Sequence, residues 1–510
     1  MGLLLLTGCG GGGQGPSDGG TGGEPPPAAP EGTARLIVNT QTGAVQVVPL
    51  TPSSRAVFAG QAIKIASNLL LDAPGSTGRR VLNVALQNNS GEPVGVGNDG
   101  SVSGLKVVFT SFTNLNPGGN LRELTQVSTV AGTGPGFLDG PSSNAKLNGV
   151  TGIAIAQDGT TYLADGLNHR IRKISNGYVS TLAGSGTASS VDGYGVNASF
   201  NKPYDIALGP DGSLYVSEVT GNKIRRVTAD GRVTTVCGTG VAGYTNGAGN
   251  VAQFSKPEGI AIGPDGGIYV CDSNNRRLRK IEFLGGDATL STNYSALTFA
   301  GSGVDSSVDG TSNTASFRSP RDVACDPSGN LFVTDRLGSR IRYVTRDGDV
   351  VTICGTSVAG STDGPGNTAR CNFPSGITQL NDGTSNTILF TETGNNSLRQ
   401  ATLQPGTSPG VASNWTVRWV ACNGTAGYVD GRGDSAMFSA PAGPAYWNGS
   451  LYVADGGNSA VRQVSCSQGF PVPYDSGPAT SELPSLADAD GVTAKQEPYL
   501  LYEGSLASGA

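Results

Sequence analysis

The stretch from Pro203 to Gly240 reads PYDIALGPDGSLYVSEVTGNKIRRVTADGRVTTVCGTG. Turn residues separate its four short runs of apolar and β-branched residues. The pattern occurs six times between Thr125 and Cys466, and each copy carries an acid followed seven positions later by an arginine. These pairs are Asp165 and Arg172, Glu218 and Arg225, Asp272 and Arg279, Asp335 and Arg342, Glu392 and Arg399, and Asp455 and Arg462. Successive acids stand 53 to 63 residues apart, and this period with four strand-like runs is typical of a β-propeller.

The turns within a copy predict its strands. In the copy at 203–240, we predict strand a at Asp205–Leu208, strand b at Ser213–Val216, strand c at Lys223–Val227 and strand d at Arg232–Val236. A pair such as Asp-Gly joins strands a and b in every copy, and such pairs tolerate the positive φ of tight hairpin turns. The pairs are Asp158-Gly159, Asp211-Gly212, Asp265-Gly266, Ser328-Gly329, Asp382-Gly383 and Asn448-Gly449.

The two ends of the repeat region complement each other. Val127–Ala131 has the sequence of a strand d but no preceding strands a, b and c. The last copy ends with strand c at Cys466 and has no strand d. We therefore expect the N-terminal strand to complete the last blade, which would close a six-bladed ring and remove the exposed edges of an open array.

The first copy resembles the NHL repeat family in its bacterial form. Ala131-Gly-Thr-Gly134 and the run from Tyr162 to Arg172, YLADGLNHRIR, follow the motif of that family almost position for position. The resemblance extends from Thr125 to Cys466, two-thirds of the chain, and it implies an all-β, six-bladed propeller. It implies little about activity, because propellers host unrelated functions.

Three further features recur in the copies. The acid and arginine of each copy lie on facing strands, so we interpret them as hairpin ion pairs rather than as six carboxylates around a metal. A second acidic column precedes strand a, and we interpret it as turn-forming because the spacing of a calcium loop is missing. This column is Asp139, Asp192, Asn246, Asp309, Asp363 and Asp430. An apolar column, predicted to fill the space between blades, is Leu147, Phe200, Phe254, Phe317, Phe373 and Phe438.

The N-terminus resembles a bacterial lipoprotein signal. Residues 1–8 precede Cys9, and Leu6-Thr7-Gly8-Cys9 resembles the site at which a peptidase cuts before a lipidated cysteine. No Lys or Arg precedes the leucines and the apolar run is short, which a start codon assigned too late would explain. The resemblance implies a membrane anchor on Cys9 and a location in the bacterial cell envelope, facing the periplasm or the exterior.

Three segments flank or precede the repeats. Residues 9–33 are rich in Gly and Pro and predict a flexible tether. Residues 34–120 contain alternating or β-branched runs between turn residues and predict a small β-sandwich. Residues 125–466 form the predicted propeller. The repeat pattern is absent from residues 467–510, whose composition predicts an irregular or disordered tail.

Composition excludes some classes of function. The net charge of −6 and the pI near 5.0 disfavour nucleic-acid binding, which needs a basic face. One histidine and no CxxC pair disfavour a zinc site, so we expect no metal in the leading interpretation. The seven cysteines after Cys9 are predicted to be structural thiols, although Cys371 could form a bridge with either Cys354 or Cys422.

Departures from the repeat indicate where a ligand binds. In propellers, the d–a and b–c loops surround one mouth of the central channel. Residues that differ between copies there are candidates for binding, namely Tyr204, Glu258, Arg321, His169, Arg276 and Arg336. His169 also falls within the family motif, where it is usually a repeat residue. No GxSxG, Walker or HExxH motif occurs in the sequence.

Two functions remain open at this point. The leading hypothesis is a lipid-anchored, non-catalytic binding or scaffold module with no cofactor, whose top face binds a protein, a peptide or a glycan. The alternative is a calcium-dependent, lactonase-like hydrolase, with Glu258 and either Asn222 or Asn274 as calcium ligands. Such a site needs only two or three correctly placed oxygen ligands.

Overall fold

A computed structural model describes Arg122 and residues 125–380 and 387–466. Before Arg122 it gives only the bounds and pairing of strands, which form three sheets of three strands each. These strands are Gly2–Gly8, Gly32–Val38, Val45–Pro49, Val57–Phe58, Asn68–Asp72, Arg79–Asn88, Val94–Val96, Val102–Ser103 and Leu105–Leu115. Cys9, most of the predicted tether and the predicted tail lie outside the described residues, and so do the side chains of the predicted signal and β-sandwich, so all of these stay predictions.

The repeat region forms six blades around a central channel. Each blade is an antiparallel sheet in which strands a, b, c and d follow one another, and strand a of each blade packs against strand a of the next. Strands a to d are Val150–Ile155, Thr161–Asp165, Arg170–Ser175 and Tyr178–Ala183 in blade 1, and Pro203–Leu208, Leu214–Glu218, Lys223–Val227 and Arg232–Cys237 in blade 2. They are Pro257–Ile262, Ile268–Asp272, Arg277–Phe283 and Tyr294–Ala300 in blade 3, and Pro320–Cys325, Leu331–Asp335, Arg340–Val344 and Val350–Cys354 in blade 4. They are Pro374–Leu380, Thr387–Glu392, Ser397–Leu403 and Trp415–Ala421 in blade 5, and Pro441–Trp447, Ser450–Asp455, Ala460–Cys466 and Thr125–Ala131 in blade 6.

The ring closes as predicted. Thr125–Ala131 pairs in antiparallel fashion with Ala460–Cys466, so the first strand of the propeller is strand d of blade 6. Strand a of blade 6 then packs against strand a of blade 1. The first and last strands of the domain therefore share one sheet, which closes the ring of six blades.

Shorter elements decorate the blades. Five blades carry a two-residue strand beyond strand d, at Gly140–Pro141, Gly193–Tyr194, Gly247–Ala248, Gly364–Pro365 and Gly431–Arg432. Single 3-10 turns lie at Gly166–Asn168, Gly195–Asn197, Ser273–Asn275, Ser291–Asn293, Ala412–Asn414 and Gly456–Asn458. Within the described residues, no helix has the length and apolar character needed to cross a membrane.

Side chains between neighbouring blades form the core. Most of the predicted apolar column is fully buried there, as expected from its recurrence, and these residues are Leu147, Phe200, Phe254, Phe317 and Phe438. The prediction for Phe373 is wrong, since this side chain is 38% exposed and its φ is 48°. Cys371 is fully buried instead. Cys371 stands two residues after Ala369, the spacing at which the other copies place their apolar residue after alanine.

The acid and arginine of each copy form a buried ion pair, which confirms the hairpin interpretation. All twelve side chains are fully buried, and the guanidinium-to-carboxylate distances run from 2.5 to 3.5 Å. Removing one member alone would leave an uncompensated buried charge and should therefore destabilise the blade.

The second acidic column has a role beyond turn formation. In blade 2, Asp192 accepts a hydrogen bond from Arg225 at 2.7 Å and a second from the backbone N–H of Thr235 at 3.0 Å. The corresponding Asp309 of blade 4 bonds Arg342 and the N–H of Thr352 in the same way. Each arginine therefore joins the b–c hairpin to the loop before strand a, which the turn interpretation did not predict.

The mouth of the central channel

Two kinds of loop meet on one face of the disc, which we call the top face. The loop before strand a contacts the b–c turn of its own blade, since the N–H of Asn148 donates to Asp165 at 2.7 Å. It also contacts the b–c turn of the preceding blade, since the N–H of Lys202 donates to Nδ1 of His169 at 3.1 Å. The second residue of each strand a lies beneath these loops around the channel, and these six are Thr151, Tyr204, Glu258, Arg321, Ser375 and Ala442.

The third residue of strand a closes the channel below this ring. Four blades carry glycine and two carry aspartate there, in the order Gly152, Asp205, Gly259, Asp322, Gly376 and Gly443. A Cβ at Gly152 would overlap the Cα of Asp205, and one at Gly259 would overlap the Cα of Asp322. The innermost strands are therefore too close for a side chain at this position in both of two neighbouring blades. Each aspartate accordingly has glycine at this position in the blades on either side.

Asp205 and Asp322 form a carboxyl pair across the channel. Asp205 accepts a hydrogen bond from the N–H of Ile260 at 2.9 Å, and Asp322 accepts one from the N–H of Ile377 at 2.8 Å. Burial raises the pKa of Asp205 to about 6, despite these hydrogen bonds. Burial and then the neighbouring Asp205 raise the pKa of Asp322 well above its usual range. The pair therefore holds a proton near neutral pH, as expected of two carboxyls in one dry site.

Hydroxyl groups of strand b fix the innermost strands to one another. In blade 4, Thr334 accepts from the N–H of Asp322 at 2.9 Å and donates to the carbonyl of Ser375 in blade 5 at 2.7 Å. Thr391 of blade 5 links Gly376 to Ala442 of blade 6 in the same manner. These links hold the strands that carry the ring residues, so the mouth is a rigid frame.

Three of the predicted rim residues form one cluster. The guanidinium of Arg321 lies 3.4 Å from a carboxylate oxygen of Glu258 and 5.2 Å from the ring centroid of Tyr204. The Nε of Arg321 also donates to the hydroxyl of Ser375 at 2.9 Å, and Ser273 donates to the other oxygen of Glu258 at 2.8 Å. Burial raises the pKa of the Tyr204 hydroxyl, which therefore stays protonated. The charge of Arg321 is balanced by Glu258.

Arg336 reaches the same cluster from the b–c turn of blade 4. Its guanidinium lies over the ring of Phe373 at 4.9 Å from the centroid. Its Nε is buried and no described residue accepts a hydrogen bond from it. Burial, and then the nearby charge of Arg321, lower the pKa of Arg336. Arg336 is therefore a half-buried cation, beside a second arginine, with no carboxylate partner in the described part of the chain.

His169 and Arg276 lie apart from this cluster. Both occupy the left-handed end of a b–c turn, with φ values of 54° and 56°. His169 accepts the backbone hydrogen bond from Lys202 described above, and Arg276 pairs with Asp305 at 3.2 Å. Asn222 occupies the same position in blade 2 and accepts from the N–H of Lys256 at 3.0 Å. This position links neighbouring blades. Its left-handed backbone conformation is one that Asn adopts readily, and this preference was the signal in the sequence.

The residues named for the calcium alternative have other partners. Glu258 contacts Arg321 and Ser273, and the side-chain amide of Asn222 bonds backbone groups of blades 2 and 3. The amide of Asn274 donates to Ser255 at 3.3 Å. Across the residues that the structure describes, no three His, Cys, Asp or Glu side chains gather closely enough to hold a metal ion.

Sequence reasoning missed two features of the mouth. The first is the carboxyl pair, whose signal was the replacement of glycine by aspartate in two of six copies, Asp205 and Asp322. The second is Phe373, which the apolar column placed in the core but which lies exposed beside Arg336. Its position could not be read from the repeat, because the loop of blade 5 places Cys371 in the core instead.

Known proteins resemble the repeat region. The family described as the teneurin NHL domain matches residues 176–388 of this chain. The protein SUPPRESSOR OF QUENCHING 1, chloroplastic, of Arabidopsis thaliana is 31% identical over 284 residues, which are 52% of this chain and 26% of that protein. Teneurin-m of Drosophila melanogaster is 28% identical over 230 residues, which are 40% of this chain and 8% of that protein.

A solved structure shares the fold. A protein of unknown function from Bacteroides thetaiotaomicron superposes with a TM-score of 0.51 at 17% identity, covering 85% of this chain and 94% of that chain. At this identity the likeness concerns the fold alone. The chain spans about a quarter or less of the length of the two curated relatives named above, so their activities do not transfer from these matches.

Proposed function

Because this chain belongs to the NHL-repeat β-propellers, we propose that it is a non-catalytic binding module whose partner docks on the top face at the channel mouth. The observation that supports this most is the contrast between the repeated and the non-repeated side chains. The repeated acids and arginines satisfy one another inside every blade. The unlike side chains of blades 2, 3 and 4 converge at the mouth instead, and one of them, Arg336, has no carboxylate partner among the described residues.

The arrangement of side chains at the mouth suits ligand binding rather than catalysis. The carboxyl pair lies below the ring, and its oxygens accept backbone hydrogen bonds from Ile260 and Ile377. Glu258, the acid nearest the surface, is neutralised by Arg321. Groups that are already paired and held by neighbouring strands are poor general bases, whereas a fixed frame with one unpaired cation favours binding.

The partner belongs to the cell envelope in this proposal. A lipid on Cys9 would anchor the chain to a bacterial membrane, and residues 9–33 would hold the propeller away from the surface. The partner would be a protein, a peptide or a glycan of the periplasm or the exterior. The acidic net charge of −6 is unfavourable for nucleic acid as a partner.

Thermal unfolding with a ligand panel tests the proposed function. The full chain with Cys9→Ser, which cannot accept a lipid, would be melted with peptidoglycan fragments, oligosaccharides and peptide pools. A ligand at a hundred times its Kd adds about 2.7 kcal/mol of stability, which is easily measured. Hydrogen exchange would then show which residues are protected by the ligand that stabilises the chain.

The pattern of protection from hydrogen exchange tests the proposed binding face. We expect protection of the b–c turns and of the loops before strand a on the top face. The a–b turns on the opposite face, for example Asp211-Gly212, serve as the internal control. Protection confined to that opposite face would refute the proposal, and so would turnover of a bound compound.

A further inference from the structure

We propose that the group recognised at the mouth is a single carboxylate held by Arg336, and that it is the carboxyl terminus of a peptide. This inference rests on the proposed function and specifies its ligand. The cluster at the mouth contains the guanidinium groups of Arg321 and Arg336 and the carboxylate of Glu258, and the carboxyl pair of Asp205 and Asp322 lies below it. Glu258 pairs with Arg321, so Arg336 is the guanidinium of this cluster that has no carboxylate partner among the described residues.

The surroundings of Arg336 favour an anion over a water-filled gap. Its Nε is buried, and no described residue accepts a hydrogen bond from its guanidinium group. The nearby Arg321 adds repulsion between like charges. A planar carboxylate can accept two parallel hydrogen bonds from the Nη groups of one guanidinium, so it would compensate the charge of Arg336.

The charge balance favours a monoanion. Arg321 already pairs with Glu258, and the buried carboxyl pair lies below the ring. A phosphate dianion would bring more negative charge than Arg336 can compensate, close to Glu258. The exposed Lys202 and Lys256, on the loops of blades 2 and 3, add a weaker and fully solvated attraction that would guide an anion to this side of the mouth.

An apolar contact lies next to the cation. Phe373 directly precedes strand a of blade 5, and its ring is partly exposed while Arg336 covers one face. The equivalent positions in the next two blades are the small residues Ala440 and Gly149. A ligand bound at Arg336 thus lies beside an aromatic ring, and the equivalent positions of the next two blades carry no charge. A peptide carboxyl terminus combines a monoanion, an apolar side chain and an extended chain, which matches this sequence of surfaces.

A paired peptide library tests the inference. The Cys9→Ser chain would be incubated with a pool of eight-residue peptides bearing free carboxyl termini and with the same pool as carboxamides. Mass spectrometry of the retained peptides gives an enrichment for each pool. A hydrogen bond to a charged group contributes about 1.5–3 kcal/mol, so we expect the free acids to be enriched tenfold or more over the amides.

Variants assign the preference to one side chain. Arg336→Gln should abolish the preference for the free acid. Arg336→Lys should recover only part of it, because an ammonium group lacks the planar pair of N–H donors of a guanidinium. Arg346→Gln is the matched control, since Arg346 is an exposed arginine in the c–d turn of the same blade, on the opposite face. Equal melting temperatures for the three variants would show that folding is intact.

The outcomes separate this inference from the proposed function. Equal enrichment of acids and amides, or a preference that survives Arg336→Gln, overturns the carboxylate inference. Arg336-dependent binding of oligogalacturonate or of inorganic phosphate, with no enrichment of peptide acids, overturns the peptide assignment. If a partner protects the top face from hydrogen exchange and its affinity is unchanged by Arg336→Gln, the proposed function stands and this inference fails.

Discussion

The carboxyl pair in the channel should make the propeller less stable as the pH rises, and Asp322→Asn tests this. A folded-state pKa above the unfolded value means that the folded chain binds more protons, so stability falls as pH rises through the interval between the two values. For Asp205 this interval runs from the ordinary 3.8 to about 6. The corresponding loss is about 3 kcal/mol for one carboxyl.

Asparagine at position 322 removes one titrating group and the repulsion between the two charges. Its amide can donate to Asp205 as a protonated carboxyl would, so the variant should resemble the wild type near pH 4. Near pH 8 the variant should be more stable than the wild type by about 2–3 kcal/mol. One oxygen of Asp322 accepts the N–H of Ile377 and the other accepts the N–H of Val323. The amide oxygen of asparagine can keep the first bond and loses the second, and this cost is the same at both pH values.

Urea unfolding of both proteins at pH 4 and pH 8 measures the effect. The difference between the two proteins is the informative quantity, because burial also raises the pKa of acids in the ion pairs, such as Asp165 and Asp455. Asp347→Asn, in an exposed turn, is the control that should show no such dependence. A difference between Asp322→Asn and wild type that is equal at both pH values would refute the reasoning.

Four further predictions follow from the same contacts. Arg342→Ala should destabilise the propeller by about 3–5 kcal/mol in urea, because it leaves a buried carboxylate unpaired, and a loss below 1 kcal/mol would contradict this. Oxidation should join Cys354 to Cys371, whose sulfurs lie 3.4 Å apart, and should raise stability by about 3 kcal/mol, with two fewer thiols counted after unfolding. Cys9→Ser should move the protein from the membrane fraction to the soluble fraction of a bacterial host, and retention in the membrane would argue against lipidation. Calcium should leave the melting temperature unchanged, whereas a shift reversed by chelator would favour the lactonase-like alternative.

Much of the architecture could be predicted because each blade repeats the same local rules. The Asp-Gly turns and the alternating strands define the hairpins within 203–240, and the structure places strand c at the predicted bounds, Lys223–Val227. The closure by Thr125–Ala131 followed from counting strands at the two ends. These features depend on neighbours in sequence or on an obligatory partner, so the pattern suffices to predict them.

Predictions about single side chains succeeded less well. The rim set combined residues that the structure brings together, Tyr204, Glu258, Arg321 and Arg336, with His169 and Arg276, which link or flank blades. All six depart from the repeat, so the sequence offered no means to separate them. The placement of Phe373 in the core was wrong because the loop of blade 5 brings Cys371 to that position.

The sequence by itself determined the number of blades, the order of the strands and the buried ion pairs, because short-range spacing and repetition encode them. Only the tertiary structure decided that Asp205 and Asp322, which lie in blades 2 and 4, meet in one channel and share a proton. It also decided that Arg321 is neutralised by Glu258 whereas Arg336 keeps a free charge. Curvature of the ring sets these distances, and curvature is a sum over all blade-to-blade packings that no local pattern contains.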